Sequence, residues 1–198
     1  MKVIGLTGGI ASGKSTASNI LKEFEIPVID ADLIAREIVL PGQPALCEIK
    51  NVFGGKVIKE DGSLNRKVLG QLVFSDKEQL KKLNNITHKR IIEEIVNRIN
   101  MYNKMNTYPV IIIDAPLLIE LHMEELVDEV WLVAANETVQ LNRLMSRDKI
   151  SDEDALKRMK SQISTKEKKK YADVILDNNL DLKHLKHQIV EQLKRVTS

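Results

Sequence analysis

Short apolar segments recur along the chain, and helical or loop-rich sequence separates each from the next. They lie at residues 3–6, 28–29, 110–113, 130–133 and 174–176. These segments are nearly continuous in apolar character instead of alternating with polar residues, which is typical of strands buried on both faces of a parallel sheet. The pattern predicts an α/β protein with a five-stranded parallel sheet in a three-layer α/β/α core.

The sequence between these segments predicts helices in two places. Residues 33–108 are too many for a simple crossover between strands, and the S-x-x-E pattern of Ser75 and Glu78 predicts a capping box at the start of a long helix. Residues 137–164 predict two antiparallel helices with a break near Ser151. We therefore expect one domain over 1–198: a core (about 1–32, 109–136 and 170–198), a helical insertion (about 33–108) and a helical lid (about 137–169).

Residues 8–15 read GGIASGKS and fit the pattern G-x-x-x-x-G-K-[ST] in full. The pattern stands directly after the first apolar segment, and residues 15–24 predict a helix after it. Such a loop turns backbone N–H groups towards an anion, while Lys14 reaches the outer phosphates and Ser15 offers a hydroxyl to Mg²⁺. The motif predicts an enzyme that uses a nucleoside triphosphate; the alternative is a glycine-rich turn that matches by accident.

Composition narrows the class of protein. Of 198 residues, 43% are hydrophobic and 29% charged, which is ordinary for a globular enzyme. The 30 basic and 28 acidic residues give a formal charge of +2, so we expect neither a nucleic-acid nor a membrane partner. The lone Cys47 excludes an internal disulfide and no apolar stretch approaches a membrane span, so a cytoplasmic protein that is neither exported nor anchored is expected.

Two aspartates, Asp30 and Asp32, follow the second predicted strand. An aspartate beside an acceptor hydroxyl can orient it and take its proton late in phosphoryl transfer, and Asp32 is our candidate for this role. Asp30 is a candidate to hold Mg²⁺ through water; the alternative is that one of the two caps the next helix. Asp114, at the end of the third strand, is a similar candidate for the second shell of Mg²⁺, with capping of a loop as its alternative.

Arginines of the predicted lid are candidates to bind a triphosphate. Arg143 and Arg147 share one helix face, and Arg158 lies on the other limb. For Arg147 the alternative is an ion pair with Asp148. The residues alone favour packing over catalysis for His88, and they favour a solvated face for the run at 166–170.

Several motifs together resemble one family, the dephospho-CoA kinases. They are LTGGIASGKST in the phosphate loop, VIDAD-LIAR at 28–36, the PGQPAL turn after Leu40, DGSLNR at 61–66, APLLIE at 115–120 and QLNRLMSRD at 140–148. The resemblance runs from end to end and implies phosphorylation of the ribose 3′-hydroxyl of dephospho-CoA by ATP with Mg²⁺, giving coenzyme A and ADP. The chain departs from the family pattern in the insertion, where Leu40 replaces the usual Glu and Lys89 the usual Pro.

The resemblance also implies roles for single residues. Lys14, Arg143 and Asp32 would be catalytic, and the partners would be ATP and dephospho-CoA, with the protein a monomer or a small homo-oligomer. ATP would be bound by Gly9, Ala11, Ser12, Gly13, Lys14, Ser15, Thr16, Arg143 and Arg147, with Asn178 at the adenine. The acceptor would meet Thr7, Asp30, Asp32, Arg36, His88 and Leu117, and Ser15 would bind the metal.

Three other functions compete with this interpretation. Another small P-loop kinase would share the phosphate loop and the lid but act on a different alcohol. A P-loop GTPase is disfavoured because residues 103–106, NKMN, lack the Asp of an N-K-x-D guanine-reading motif. A non-catalytic module that binds coenzyme A is hard to reconcile with the presence of Lys14, Ser15 and Asp32.

Overall fold

The computed structural model describes residues 1–197 and contains one five-stranded sheet. Its strands are β1 (Lys2–Gly8), β2 (Val28–Asp30), β3 (Val110–Asp114), β4 (Glu129–Ala134) and β5 (Val174–Asp177), in the order β2-β3-β1-β4-β5. The central strand β1 runs parallel to both β3 and β4, and β4 runs parallel to β5. The predicted parallel sheet is confirmed, and all five strands lie where the apolar segments predict them.

Two helices cover one face of the sheet, α1 (Lys14–Glu23) and α9 (Leu182–Thr197). Their apolar side chains, such as Leu21 and Ile189, join those of the sheet in one buried cluster. The single tryptophan, Trp131 on β4, is fully buried in this cluster. The cluster fixes the start of α1 beside the end of β1, because α1 follows β1 after only five residues.

The chain divides into two compact units. The first comprises Met1–Ile29 and the chain from Ile99 onward, and the second comprises Asp30–Arg98. The second unit contains α2 (Ala31–Glu37), α3 (Pro44–Phe53), α4 (Arg66–Phe74) and most of α5 (Lys77–Met105). It has its own apolar core, formed by Val39, Ala45, Leu46, Ile49, Val57, Leu64, Leu69, Val73 and Ile86. Among the described residues no helix is long and apolar enough to cross a membrane.

The long helix α5 is confirmed, but the expectation of a capping box at Ser75 is wrong. The Asp76 carboxylate accepts hydrogen bonds from the backbone N–H groups of Glu78 and Gln79, at 2.8 and 3.3 Å. Ser75 instead donates its hydroxyl to the carbonyl of Gln71 at 2.9 Å. Aspartate competes as well as serine for an N-terminal cap, and the side chain that faces the free N–H groups takes the position.

The described chain has three helices between β4 and β5, namely α6 (Glu137–Asp148), α7 (Asp152–Met159) and α8 (Thr165–Lys168). The predicted break at Ser151 is present: its hydroxyl accepts a hydrogen bond from the N–H of Asp154 at 3.2 Å and caps α7. Lys149, just before the break, has a left-handed backbone with φ of 53°. That this segment closes as a lid stays a prediction.

Candidate phosphoryl-transfer site

The phosphate motif forms a tight loop that delivers the chain into α1. Gly13 precedes the helix with φ of 95°, and no side chain caps the helix start. The first turn of α1 contains no acidic residue either. The backbone N–H groups and the positive end of the helix dipole are therefore uncompensated by the protein, which is the arrangement that binds phosphate.

Asn178, after β5, holds this loop from outside. Its side-chain Nδ2 donates a hydrogen bond to the carbonyl of Ser12 at 2.7 Å, and the residue is buried. A Cβ atom placed on Gly13 would lie 1.9 Å from the same Nδ2. Glycine is thus required at position 13 both by its backbone angle and by the close approach of Asn178.

Arg143 of α6 leaves one nitrogen for a ligand. Its Nη2 donates to the carbonyl of Asn178 at 3.1 Å, whereas Nη1 is buried and has no hydrogen-bond partner within residues 1–197. The Ser12 hydroxyl is unpaired in the same way. A cavity of about 580 Å³ opens beside Arg143, and its lining residues are Ala11, Gly13, Ser15, Asn142, Arg143, Ser146 and Arg147. An unpaired buried donor is costly, and a ligand with phosphate oxygens in this cavity would satisfy Nη1 of Arg143.

Lys14, the first residue of α1, forms an ion pair with Asp114, the last residue of β3. Both side chains are largely buried, at 16% and 7% exposed. The Asp114 carboxylate stabilises the Lys14 ammonium beside the phosphate loop, because a buried ammonium needs a counter-charge. Neighbouring Thr7 is fully buried and donates its hydroxyl to the carbonyl of Pro116 at 3.3 Å, so its predicted contact with substrate stays a prediction.

Arg147 of α6 and Arg158 of α7 form ion pairs within the protein. Arg147 donates to both carboxylate oxygens of Asp148, at 2.7 and 3.2 Å, and Arg158 donates to Asp148 at 2.6 Å. Hydrogen bonds from Arg147 hold the pKa of the Asp148 carboxyl below its usual range, with smaller effects from the charges of both arginines. The ion pair weighed as an alternative for Arg147 is what the structure contains, and a contact of Arg147 with ATP stays a prediction.

The residues predicted to contact the acceptor belong to the second unit, apart from Thr7 and Leu117. Asp30 caps α2, since its carboxylate accepts a hydrogen bond from the N–H of Leu33 at 3.0 Å, which is the alternative weighed for it. The side chains of Asp32 and Arg36 are exposed on α2. His88 is half-buried in α5, and burial lowers its pKa, which favours the neutral ring. Leu117 lies exposed in the loop after β3. Substrate contacts of all five stay predictions.

Sequence reasoning missed Lys168. The run at 166–170 is predicted to be a solvated face, and for Lys168 this is wrong because the side chain is fully buried. Its ammonium donates to the carbonyl of Pro116 at 2.7 Å and to Glu120 at 2.9 Å. Ser164 caps the short helix α8, accepting a hydrogen bond from the N–H of Glu167 at 3.2 Å, and Lys168 is the last residue of that helix. The sequence of the lysine run itself does not show that this member points inward.

The donors near the loop suit Mg²⁺. The Ser15 hydroxyl is exposed at the start of α1, and the Asp114 carboxylate stands at the end of β3. Within residues 1–197 no cluster of three or more His, Cys, Asp or Glu side chains is arranged to hold a metal. Oxygen donors in small number fit an ion that arrives with the phosphates and keeps several waters, which is how Mg²⁺ is commonly bound.

Comparison with known proteins decides the family. The model of the family described as dephospho-CoA kinase matches residues 2–184. The chain belongs to the dephospho-CoA kinase family. It is 44% identical to the dephospho-CoA kinase of Carboxydothermus hydrogenoformans, over 98% of this chain and 94% of that one. It is 47% identical to the dephospho-CoA kinase of Bacillus cereus strain ZK / E33L, over 98% and 96%.

Solved structures agree with membership of this family. The dephospho-CoA kinase from Campylobacter jejuni is similar with a TM-score of 0.76 at 32% identity, covering 98% of this chain and 96% of that one. A Thermus thermophilus crystal structure gives a TM-score of 0.83 at 31% identity, covering 100% and 98%. Shikimate kinase from Bacteroides thetaiotaomicron, at 12% identity and a TM-score of 0.53 over 100% and 99%, shares the fold alone. As a member of the family the chain is a P-loop kinase and hence a transferase.

Proposed function

We propose that this protein transfers the γ-phosphoryl group of ATP to the ribose 3′-hydroxyl of dephospho-CoA, giving coenzyme A and ADP in coenzyme A biosynthesis. Family membership supports the pair of substrates. One observation carries the chemistry: the uncapped start of α1 meets the buried Lys14 and the unpaired nitrogen of Arg143 around a single loop. Phosphoryl transfer depends mainly on positioning and on neutralising charge, and this site is built for both.

At the ATP phosphates, the loop, Lys14 and Arg143 each neutralise part of the negative charge. The loop N–H groups bind phosphate oxygens, Lys14 donates to the outer phosphates while Asp114 keeps its ammonium in place, and Arg143 donates through Nη1. Ser15 would hold Mg²⁺ by its hydroxyl, with Asp114 or Asp30 in its second shell. When bound, the ion neutralises charge on the phosphates.

At the acceptor end, Asp32 is the proposed base. The 3′-oxygen forms a bond to the γ-phosphorus, the bond from that phosphorus to the β–γ bridging oxygen breaks, and ADP leaves with its electron pair. The hydroxyl proton passes to the Asp32 carboxylate late in the step. The carboxylate can take the proton at this late stage, because the alcohol becomes acidic only as its bond to phosphorus forms.

A cavity within the second unit is the proposed place for the anionic part of the acceptor. It measures about 360 Å³, and four cations line it without any carboxylate: Arg36, Lys59, Arg66 and Lys67. Val39, Leu64 and Pro41 add an apolar wall. Dephospho-CoA carries a diphosphate next to a long neutral arm, and a wall with cations beside apolar residues suits that combination.

The test is ADP release by the purified protein with ATP and Mg²⁺, with and without dephospho-CoA, and mass analysis of the acceptor. We expect release to depend on dephospho-CoA, with coenzyme A as the product. Asp32→Asn should retain ATP binding and lose most of this turnover, while Asp76→Asn, which keeps a capping oxygen at α5, should be unaffected. Phosphorylation of a different alcohol only, or full activity of Asp32→Asn, would contradict the proposal.

A further inference from the structure

The fully buried Lys168 has no role in the proposed chemistry. Lysine is among the residues least often buried completely, because its ammonium must give up water. Here the side chain is 0% exposed although the neighbouring Lys166, Lys169 and Lys170 are exposed. A structure that tolerates such a cost at one position in a lysine run has a specific use for the charge or for its hydrogen bonds.

The hydrogen bonds of the Lys168 ammonium reach the loop that follows β3. Its ammonium donates to the carbonyl of Pro116 at 2.7 Å and to Oε2 of Glu120 at 2.9 Å. The other oxygen of Glu120 accepts a hydrogen bond from the N–H of Ile163 at 3.4 Å. The segment before and within α8 is therefore joined to this loop at both oxygens of one carboxylate and at one carbonyl.

The loop after β3 directly follows Asp114, the residue that forms an ion pair with Lys14. Asp114, which pairs with Lys14, stands two residues before Pro116. The carbonyl of Pro116 also accepts the Thr7 hydroxyl at 3.3 Å, at the end of β1. Pro116 is thus held from two sides, by β1 and by α8, immediately beyond the carboxylate that orients Lys14.

The surroundings of Lys168 disfavour the charged form of its ammonium group. Burial lowers the pKa of the Lys168 ammonium, Glu120 opposes that change, and the positive charge of Lys14 adds a further lowering effect. If position 168 only had to fill space, an apolar side chain of similar length would do so without the repulsion between the Lys168 and Lys14 ammonium groups. The hydrogen bonds to Pro116 and Glu120 are what an apolar residue would not supply.

We propose that Lys168 is a positioning residue for phosphoryl transfer, which fixes the Asp114–Pro116 segment and through it the Lys14 ammonium. This inference rests on the proposed function only in that ATP is the phosphoryl donor. Glu120 is the counter-charge that keeps Lys168 protonated in the interior. Lys168 itself touches no substrate and acts through the loop. The segment containing α8 is thereby coupled to the site, so that its displacement would loosen Lys14 at the same time.

Four variants separate positioning from a merely structural role. Lys168→Met and Glu120→Gln each remove one partner, Lys168→Met with Glu120→Gln removes both charges, and Lys169→Met is the matched control on the next, exposed residue. The measurements are the thermal midpoint, KM for ATP, and kcat at saturating ATP. The single variant Glu120→Gln leaves a buried cation without its partner and should be the least stable, and the double variant should recover stability.

We expect kcat to fall at least about tenfold in Lys168→Met and to stay low in the double variant, with a smaller change in KM for ATP. Lys169→Met should match the parent protein. Recovery of kcat together with the thermal midpoint in the double variant would overturn the proposal, as would an unchanged kcat in Lys168→Met. If Lys168→Met does not fold, the double variant decides alone.

Slow ADP release without acceptor gives a second readout, because hydrolysis also depends on Lys14. A parent protein that hydrolyses ATP but ignores dephospho-CoA would refute the proposed function, and the fall of this slow rate in the double variant would still support the role of Lys168. An unchanged slow rate in that variant would overturn the role even if dephospho-CoA is the acceptor. The two failures are therefore distinguishable.

Discussion

The polar groups of the first unit and those of the second are organised in different ways. In the first unit they are buried and joined to one another: Lys14 to Asp114, Asn178 to Ser12, Lys168 to Glu120. In the second unit the candidate residue Asp32 is exposed, and the exposed Arg36 and Arg66 line an open cavity. A site that must stabilise a short-lived charge gains from fixed groups, whereas a site that holds a long, flexible molecule can be ordered by its ligand. The following predictions test that difference.

The largest effect is expected for Lys14→Ala. It removes the charge proposed to bind the outer phosphates and leaves the buried Asp114 carboxylate without its partner, so both activity and stability should fall. We expect kcat/KM for ATP to drop about 10³-fold and the free energy of unfolding by about 1–3 kcal/mol. Steady-state kinetics and denaturant titration measure the two effects. Lys22→Ala, at the exposed far end of the same helix, should change neither.

The next effect concerns the close approach at Gly13. Gly13→Ala adds a Cβ that would overlap the Asn178 amide, and the backbone at φ of 95° is unfavourable for alanine. Gly42→Ala has a similar φ of 88° but nothing within 4 Å, so it isolates the cost of the backbone angle alone, about 1–2 kcal/mol.

We expect Gly13→Ala to lose more stability than Gly42→Ala and to lower kcat/KM for ATP about 10²-fold, because the loop must open to admit the methyl group. Thermal denaturation and ATP-dependent turnover of the two variants provide the comparison. Equal losses of stability in both would mean that Asn178 moves aside freely and does not hold the loop.

A smaller effect should follow from Arg66→Ala in the second unit. If exposed cations there recognise the anionic acceptor, KM for dephospho-CoA should rise about tenfold, or about 1.4 kcal/mol, with kcat and KM for ATP unchanged. Lys56→Ala is a matched control, since Lys56 is exposed in the same unit and does not line the cavity. The increase in KM for dephospho-CoA should become smaller as salt is added, because salt screens the interaction between charges. A loss of packing would not show this dependence on salt.

The smallest effect is a dependence of stability on pH in the first unit. Hydrogen bonds from Arg195, with those from Trp131 and Lys2, lower the pKa of Glu129 from 4.5 to about 2. Because the pKa is lower in the folded than in the unfolded protein, this stabilisation is complete above about pH 5 and is lost as pH falls towards 2. Arg195 is half-exposed, so we expect only about 1 kcal/mol.

Denaturant titrations at pH 6 and pH 3 measure this change, and Arg195→Met should reduce it. Lys157→Met, which breaks an exposed pair with Glu153, serves as the control and should leave the pH dependence unchanged. A parent protein as stable at pH 3 as at pH 6 would show that the pairing of Glu129 contributes nothing to folding.

The sequence predicts the sheet well and the polar contacts less well, for a physical reason. Strands and helices such as β3 and α1 follow from the periodicity of apolar residues, which each segment carries within itself. The use of Asn178 to hold the carbonyl of Ser12 joins residues 166 positions apart, and no local pattern encodes it. Likewise, the composition of the lysine-rich run at 166–170 does not indicate which side chain points inward, so the burial of Lys168 could not be predicted from it.

The phosphate loop is the exception among the polar features. Its function requires glycines and a lysine at fixed spacing in one short segment, so Gly13, Lys14 and Ser15 could be assigned roles from the sequence alone. For Asp30 and Arg147 the chemistry suits two roles, and the structure shows the capping and pairing contacts weighed as alternatives. Whether each also meets substrate depends on the bound state, which sequence patterns do not describe.

The single tryptophan gives the molecule a built-in reporter of one unit only. Trp131 lies fully buried in the cluster between the sheet and the helices α1 and α9, and the second unit contains no tryptophan. Fluorescence excited selectively at this indole therefore follows the melting of the sheet core, while far-ultraviolet circular dichroism follows the helices of both units. Coincident transitions would mean that the units unfold cooperatively, and separate ones that the second can melt while the phosphate loop stays intact.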